Sequence, residues 1–409
     1  MKIDRIEIDG YKSLVGFKYE LDNFNVIIGN NNAGKSNFLE VFSVLNKIIF
    51  GSEREKSLIY GGISDRGNII TNCEKIFKDE MKLLIEYTDN WNEEEFKYIY
   101  ELTLKFDIMT AINKKSAENE GAGILYEKFQ YKNVRKPGPL KELFSRDNQT
   151  VQFNEKVSNK LKNIDCFETV ISIINKLPDI KNALDEEVLI GITDIGLICR
   201  TQVLYSNSDE IRKKVKSIDM ESDNISIENG RIISMNIKQD INKILKSDQK
   251  EIYKQILLQV LDIKNIIPRI IGNKGMNPFI IGLEVEFSNG HIISINQVSD
   301  GMLIVINLIT YLVSNNYPII AIEELENSIH PQLLKKLITL IYNNFADKQI
   351  IITTHSPVLV NMVKKEQVSI IRQNENGISE IQNIKNNKEL MKEIAGPFSE
   401  LSDIFYIGD

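Results

Sequence analysis

The sequence is poor in the residues that usually carry covalent and metal chemistry. Its three cysteines, Cys73, Cys166 and Cys199, lie far apart and form no C-x-x-C pair. That argues against a disulfide framework and a zinc site, and it fits a reducing cytoplasm. There are only three histidines, His291, His330 and His355, and one tryptophan, Trp91. Positive charge is not in excess: the net charge is -7, so nucleic-acid binding would need a local basic patch. Long hydrophobic runs are missing too. The most apolar stretch, Met302–Val313, is broken by Asn307 and Thr310 and is too short to span a bilayer, which excludes a membrane transporter within this chain. No charged-then-apolar leader precedes Ile3, Ile6 and Ile8, so no signal peptide is expected. What is left is a chain with the composition of a soluble globular protein, long enough for two or three domains.

Against that background one stretch stands out. Gly29-Asn30-Asn31-Asn32-Ala33-Gly34-Lys35-Ser36 is a complete G-x-x-x-x-G-K-S phosphate-binding loop. The apolar run Phe24–Ile28 precedes it as an expected buried strand. From Asn37 a helix follows, with Phe38, Val41, Phe42, Leu45 and Ile49 on one face. Strand, glycine-rich turn and helix N-terminus together aim backbone N–H groups and the helix dipole at phosphate. Lys35 would reach the β- and γ-phosphates, and the Ser36 hydroxyl would ligate Mg²⁺.

Around this loop the chain reads as follows. Ile3–Ile8 and Leu14–Leu21 are expected strands, and the glycine- and charge-rich Gly51–Thr71 a loop. Glu80–Tyr87 and Phe96–Phe106 alternate apolar and polar residues as a hairpin does, turning at Asn90-Trp91-Asn92-Glu93, with Trp91 as a cap on the turn. Ala111–Gly123 is small and polar and reads as a mobile connection. Tyr131–Arg146 carries Lys132, Arg135, Lys136, Lys141 and Arg146 against Glu142, either as a solvated loop or as a phosphate-backbone contact. Residues 157–264 are mostly helical by pattern, without the sustained heptads of a long coiled coil. Asn289-Gly290 marks a hairpin between Phe279–Phe287 and His291–Ile295. Beyond it strands and helices alternate, the sign of a largely parallel sheet.

Three later segments bear on how a nucleotide would be used. In Pro318–Glu324 an apolar strand ends in Glu323 and Glu324, at the sheet edge where α/β proteins place their chemistry. Glu323 would hold Mg²⁺, and Glu324 would act as general base on the attacking water. In Gln349–Pro357 a β-branched strand ends in Thr353, Thr354 and His355. That histidine can bond the γ-phosphate or orient the water. Gln297-Val298-Ser299-Asp300-Gly301 opens the apolar helix after it and forms a second potential anion site.

Together, in this order, the four segments resemble the ABC-type ATPase heads of the SMC, RecF and OLD-like families. GNNNAGKSN matches their Walker A, PIIAIEELENSIHP their Walker B and D-loop, and IIITTHSP their switch-histidine loop. VSDGM resembles their signature loop and IDGYKSL their first-strand element. The form E-E-x-E-N-x-x-H-P is closest to OLD-like ATPases. Departures are Asn32 where many members have glycine, Asp300 and Met302 in the signature loop, and Glu323 where many have aspartate. The resemblance implies an α/β fold: a P-loop ABC-type head with a mixed or parallel sheet, built from residues 1–110 and 268–409. A mostly helical arm or lid, residues 111–267, would be inserted between them. It implies ATP and Mg²⁺ held by the loop from Gly29 through Asn37, with Lys12 and Ser13 near the nucleotide. Ser36 and Glu323 would be the metal ligands, and Lys35, Glu324 and His355 the catalytic groups. Ser299 and Gly301 would embrace the γ-phosphate of an opposite subunit, giving a homodimer or higher oligomer through an ATP sandwich. Such stand-alone heads work beside a separately encoded effector, often a nuclease, in bacterial defence against phage. Only 54 residues follow His355 and none form D-x-D, so the Toprim domain of OLD nucleases is not expected. Two alternatives remain. One is a RecF-like repair ATPase that binds DNA through Tyr131–Arg146. The other is a nucleotide-dependent scaffold that does not hydrolyse, against which Glu324 and His355 argue.

Overall fold

A computed structural model describes residues 1–73, 76–107, 122–153, 164–201, 203–205, 211, 227–228, 231–232, 237–271, 279–314 and 317–386. The strands that carry the site are short β-branched runs. Phe24–Ile28, Ile319–Glu323 and Gln349–Thr354 are buried along their whole length. They lie in a six-stranded sheet ordered Val203–Tyr205, Ile319–Glu323, Gln349–Thr354, Phe24–Ile28, Val368–Gln373, Ser379–Asn383. Every pairing is parallel except the last. Strands buried on both faces read as continuous apolar runs because successive residues face opposite cores. Ile27, Ala321, Ile351 and Ile371 join one core, and Val26, Ile28, Ile320, Ile322, Ile350 and Ile352 the other. Ile28 pairs with Thr354 and Glu323 with Thr353, so three strands end level at one edge of the sheet.

The helix Lys35–Phe50 is packed in the first core, against a seven-stranded antiparallel sheet. That sheet is ordered Thr150–Phe153, Lys141–Asp147, Gly123–Asn133, Glu94–Lys105, Glu80–Trp91, Lys2–Asp9, Phe17–Glu20. Phe38 lies edge-on to both Tyr19 and Phe42, all three fully or nearly fully buried. Truncating such a ring to alanine costs about 3–5 kcal/mol. Gln349 stitches the two sheets together: its amide donates to the Ile3 carbonyl at 2.8 Å and accepts from the Ile3 N–H at 2.9 Å. The second core holds the helices Lys250–Leu261, Asp300–Ser314 and Pro331–Asn344. A three-stranded sheet, Ile263–Ile271, Phe279–Phe287 and Ile292–Ser294, leads into the middle one of these, with Gly290 in the left-handed region at its expected turn.

Several expectations need correction. Gly51–Thr71 is not a loop. It holds the helix Glu53–Tyr60, started by a reciprocal cap between Ser52 and Glu55, and the short strand pair Ile63–Ser64 and Gly67–Asn68. The stretch 111–267 is less helical than its pattern suggests. Gly123–Asn133, Lys141–Asp147 and Thr150–Phe153 extend the seven-stranded sheet, and Val203–Tyr205 pairs in parallel with Ile319–Glu323. Tyr131–Arg146 is the end of one strand, a turn and the start of the next. Arg146 is fully buried, beside the fully buried Glu127, and donates to the carbonyls of Asp165, Glu168 and Asn148. Residues 111–121 of the connection expected at Ala111–Gly123 lie outside the described residues. Among the described residues no helix is long and apolar enough to cross a membrane.

Candidate active site

The phosphate loop is shaped by close backbone packing. A Cβ on Gly29 would sit 2.3 Å from the Ile371 carbonyl oxygen. One on Gly34 would sit 2.1 Å from the Ser379 hydroxyl, and Gly34 has φ 106°. Only glycine tolerates that combination. Asn30, Asn31 and Asn32 are exposed, Asn32 with φ 69°, and Ala33 is buried beneath them. Gly34 caps the helix Lys35–Phe50 without a side chain, and the first turn carries no acid. The positive end of the helix dipole is therefore not offset by side-chain charge there.

Lys35 is buried, and its Nζ donates to the carbonyls of Gly29 at 2.6 Å and Asn30 at 3.0 Å. Burial pushes its pKa down, and the negative charges of Glu324, Glu326 and Glu323 oppose that shift. Asn37 donates to the Ser13 hydroxyl at 2.9 Å, and Ser379 Oγ donates to it at 2.7 Å. Ser13 thus ties the loop helix to the strand Ser379–Asn383. Lys12 turns its Nζ to Glu40 on the helix at 2.6 Å, and Ser64 donates to the same buried carboxylate.

Glu323 ends its strand with the carboxylate gripped from both sides by Arg66, Nη2 to Oε2 at 2.7 Å and Nη1 to Oε1 at 3.3 Å. Arg66 was invisible to sequence reasoning, because it lies in the stretch read as a loop. Its neighbours pin the same turn: Asp65 pairs with Lys47, and Ser64 with Glu40. Ser36, half-buried at the second helical position, and Glu323 offer hydroxyl and carboxylate oxygens. That donor set fits a hard divalent cation, provided Arg66 yields the carboxylate. Among the described residues no group of three or more His, Cys, Asp or Glu side chains is arranged to hold a metal unaided.

Glu324 takes φ 52°, a left-handed conformation, and its N–H donates to the Thr353 carbonyl at 2.9 Å. Such a conformation at a non-glycine residue is strained and persists where the surrounding structure holds it. Asn327 donates to Glu324 Oε2 at 2.7 Å. His355 Nδ1 lies 3.7 Å from Glu324 Oε1 and 3.6 Å from Glu326 Oε1, just outside hydrogen-bond range of each. Both His355 and Glu324 are partly exposed, at 44% and 36% of the side chain, and so open to solvent. Glu326, also missed in the sequence, accepts from the Thr354 hydroxyl at 2.7 Å and the His355 N–H at 3.1 Å.

The remaining expected residues divide. Ser299 is exposed and caps the helix Asp300–Ser314, accepting from the Met302 N–H at 3.4 Å. Gly301 is buried, where a Cβ would meet the Ser328 carbonyl oxygen at 2.4 Å. The signature glycine is thus required by the turn that follows Glu324. His330 caps the helix Pro331–Asn344, its Nδ1 accepting from the Gln332 N–H at 3.3 Å. In the basic stretch, Lys136 pairs with Glu94 and Lys128 beside it with Glu142.

Comparison with known proteins bears on the family and the fold. The family model described as "AAA ATPase domain" matches residues 1–360. The "Retron Vc95 probable ATPase" of Vibrio cholerae serotype O1 biovar El Tor is 24% identical over 406 residues, 91% of this chain and 74% of that protein. Among solved structures, an SMC head bound to the C-winged helix domain of ScpA superposes with TM-score 0.51 at 11% identity, covering 94% of this chain and 99% of that one. The SMC head domain from Thermotoga maritima gives TM-score 0.44 at 11% identity, over 94% and 99% of the two chains. The first of these likenesses is one of fold.

Proposed function

We propose, on the premise that this chain belongs to the AAA ATPase domain family, that it is an ATP-hydrolysing switch whose closure around nucleotide controls a partner. The observation that carries the reading is the convergence on Lys35. One buried ammonium is hydrogen-bonded to the phosphate loop and feels the charges of Glu323, Glu324 and Glu326 at and beyond the end of the acidic strand, which lies two places along the sheet.

In this reading the backbone from Gly29 to Asn37 cradles the phosphates, and Lys35 leaves the carbonyls of Gly29 and Asn30 to neutralise the β- and γ-phosphates. Ser36 and Glu323 would hold Mg²⁺, which supplies charge neutralisation at the transferring phosphoryl group. Glu324 accepts a proton from water as its oxygen attacks the γ-phosphorus, and the bond to ADP breaks. Asn327 keeps that carboxylate in place.

Ser299, exposed at the start of the helix Asp300–Ser314, would approach phosphate bound to a second copy, the role the motif resemblance implies. ATP would then close two heads face to face, and hydrolysis would release them. The likeness to a retron's probable ATPase supports an ATPase that works within a larger system, and the motif resemblance points to defence against phage with a separately encoded effector. At the residues of the DNA-binding alternative, Arg146 is buried and Lys136 pairs with Glu94, while Arg135 and Lys141 are exposed.

The test is mass in solution for Glu324→Gln with and without ATP and Mg²⁺. A nucleotide-dependent doubling or higher multiple of mass, abolished by Ser299→Arg, is the expected result. A mass unchanged by ATP under conditions where ATP demonstrably binds would refute the closing pair.

A further inference from the structure

His355 faces acceptors at one ring nitrogen. Its Nδ1 lies 3.6 Å from Glu326 Oε1 and 3.7 Å from Glu324 Oε1. Glu326 is better anchored than its neighbour. Its side chain is nine-tenths buried, and one oxygen receives both the Thr354 hydroxyl and the His355 main-chain N–H. Its other oxygen, Oε2, is buried without a partner. The carboxylate therefore holds the main chain of the histidine while presenting negative charge to its ring. A neutral imidazole carries one N–H and one lone pair, and which nitrogen holds the proton is set by what it faces. A lone pair on Nδ1 would point at carboxylate lone pairs, whereas an N–H there is attracted to both.

We propose that Glu326 is a positioning residue that fixes His355 as the Nδ1–H tautomer, so that Nε2 presents a lone pair to the nucleotide. Such a histidine accepts a hydrogen bond from the attacking water and cannot donate one to the γ-phosphate. This inference rests on the ATPase reading for its consequence, but its structural core concerns the protein without nucleotide. The two fail separately.

The direct test is ¹⁵N spectroscopy of the histidine rings in the nucleotide-free protein. With three histidines in the chain, His355 is assigned by the signal lost in His355→Gln. The wild type is expected to show protonated Nδ1 and bare Nε2 at His355. In Glu326→Ala the ring should move toward the Nε2–H form, with the signals of His291 and His330 unchanged. Glu326→Gln keeps an acceptor oxygen for Thr354 and the main chain, so it should hold the loop and retain most of the turnover. Glu326→Ala should lower kcat about 10- to 100-fold, with KM for ATP within about twofold, as loss of orientation does. If Glu326→Ala does not fold, Thr354→Val, which removes one of the two donors to Glu326, should shift the tautomer in the same direction and by less. A wild-type ring bearing its proton on Nε2, or on both nitrogens, overturns the proposal. So does a ring that responds to Glu324→Gln but not to Glu326→Ala. An ATPase-inactive wild type with the expected tautomer would refute the enzymatic reading and leave the positioning intact.

Discussion

The candidate nucleotide site has two halves made in different ways. The phosphate cradle is backbone, shaped where Gly29 and Gly34 press against Ile371 and Ser379. The acidic edge is side chain, assembled from Arg66, Glu323, Glu324, Glu326 and His355, which come from three distant parts of the sequence. The first half needs little rearrangement to receive an anion: the Lys35 ammonium must turn from the Gly29 and Asn30 carbonyls. The second is occupied by its own ion pair, since Arg66 spans the carboxylate that a metal would need. The difference teaches where control would enter in the proposed switch: nucleotide would dock on the cradle, and the chemistry would wait for the edge to reorganise. Lys35 joins the halves, bonded to one and attracted by the other.

That comparison can be broken from either side. Lys35→Ala removes the link and should cut turnover at least about 100-fold, the scale of losing one charge-stabilising group. Steady-state phosphate release checks it. Gly34→Ala attacks the cradle alone. Left-handed strain costs of the order of 1–3 kcal/mol, and the overlap with Ser379 adds to it. ATP binding by titration calorimetry should weaken about 10-fold or more, while the Arg66–Glu323 pair survives. Arg66→Ala sharpens the contrast. It frees Glu323, so the Mg²⁺ concentration at half-maximal ATP binding should fall a few-fold. The nucleotide-free protein should melt lower, because a largely buried carboxylate loses its partner. Adding Mg²⁺ should recover the difference, and an unchanged Mg²⁺ requirement would show that the pair does not compete with metal.

The smallest expected effect lies away from the site. Asp194 is buried, one of its oxygens has no partner, and burial together with Asp89 raises its pKa to about 8. A carboxyl with a raised folded-state pKa contributes stability that is complete below the ordinary carboxylate range and is lost as pH rises through about 8. Asp194→Asn should flatten the fall in Tm across that window and raise Tm above pH 8 by about 2 °C or more. ATP binding should be unchanged, which separates fold stability from both halves of the site.

The two halves also differ in how far they could be read from sequence. Phe24–Ile28, the glycine loop and the strand ending in Glu323 and Glu324 are legible because apolar runs and punctuating residues are local signals. The helix Glu53–Tyr60 was legible in principle, since Ser52 and Glu55 stand at capping-box spacing, but the glycines beside it dominated the reading. The strand Gly123–Asn133 was hidden by its buried Glu127, which breaks the apolar alternation that continues in Phe129 and Tyr131. Arg146 reads as a solvated cation until Glu127 and three carbonyls are seen around it. Arg66 has no local signature at all, and Glu326, though inside the E-E-x-E-N-x-x-H-P motif, carries no local sign of which strand end it will hold. Their roles exist only because the fold brings the turn between Ile63–Ser64 and Gly67–Asn68 to the end of a strand some 257 positions later, and a helix-preceding turn to the neighbouring strand's end.

The measurement that tests the account most directly is single-turnover hydrolysis, with protein in excess over ATP, for wild type and Glu324→Gln, alongside equilibrium binding of ATP to both. The account predicts equal binding within about threefold and ADP formation slower by about 100-fold or more in the variant, the range expected for losing a general base. Equal rates of ADP formation would place the base elsewhere. Loss of binding in the variant would mean that the cradle and the acidic edge are one unit rather than two.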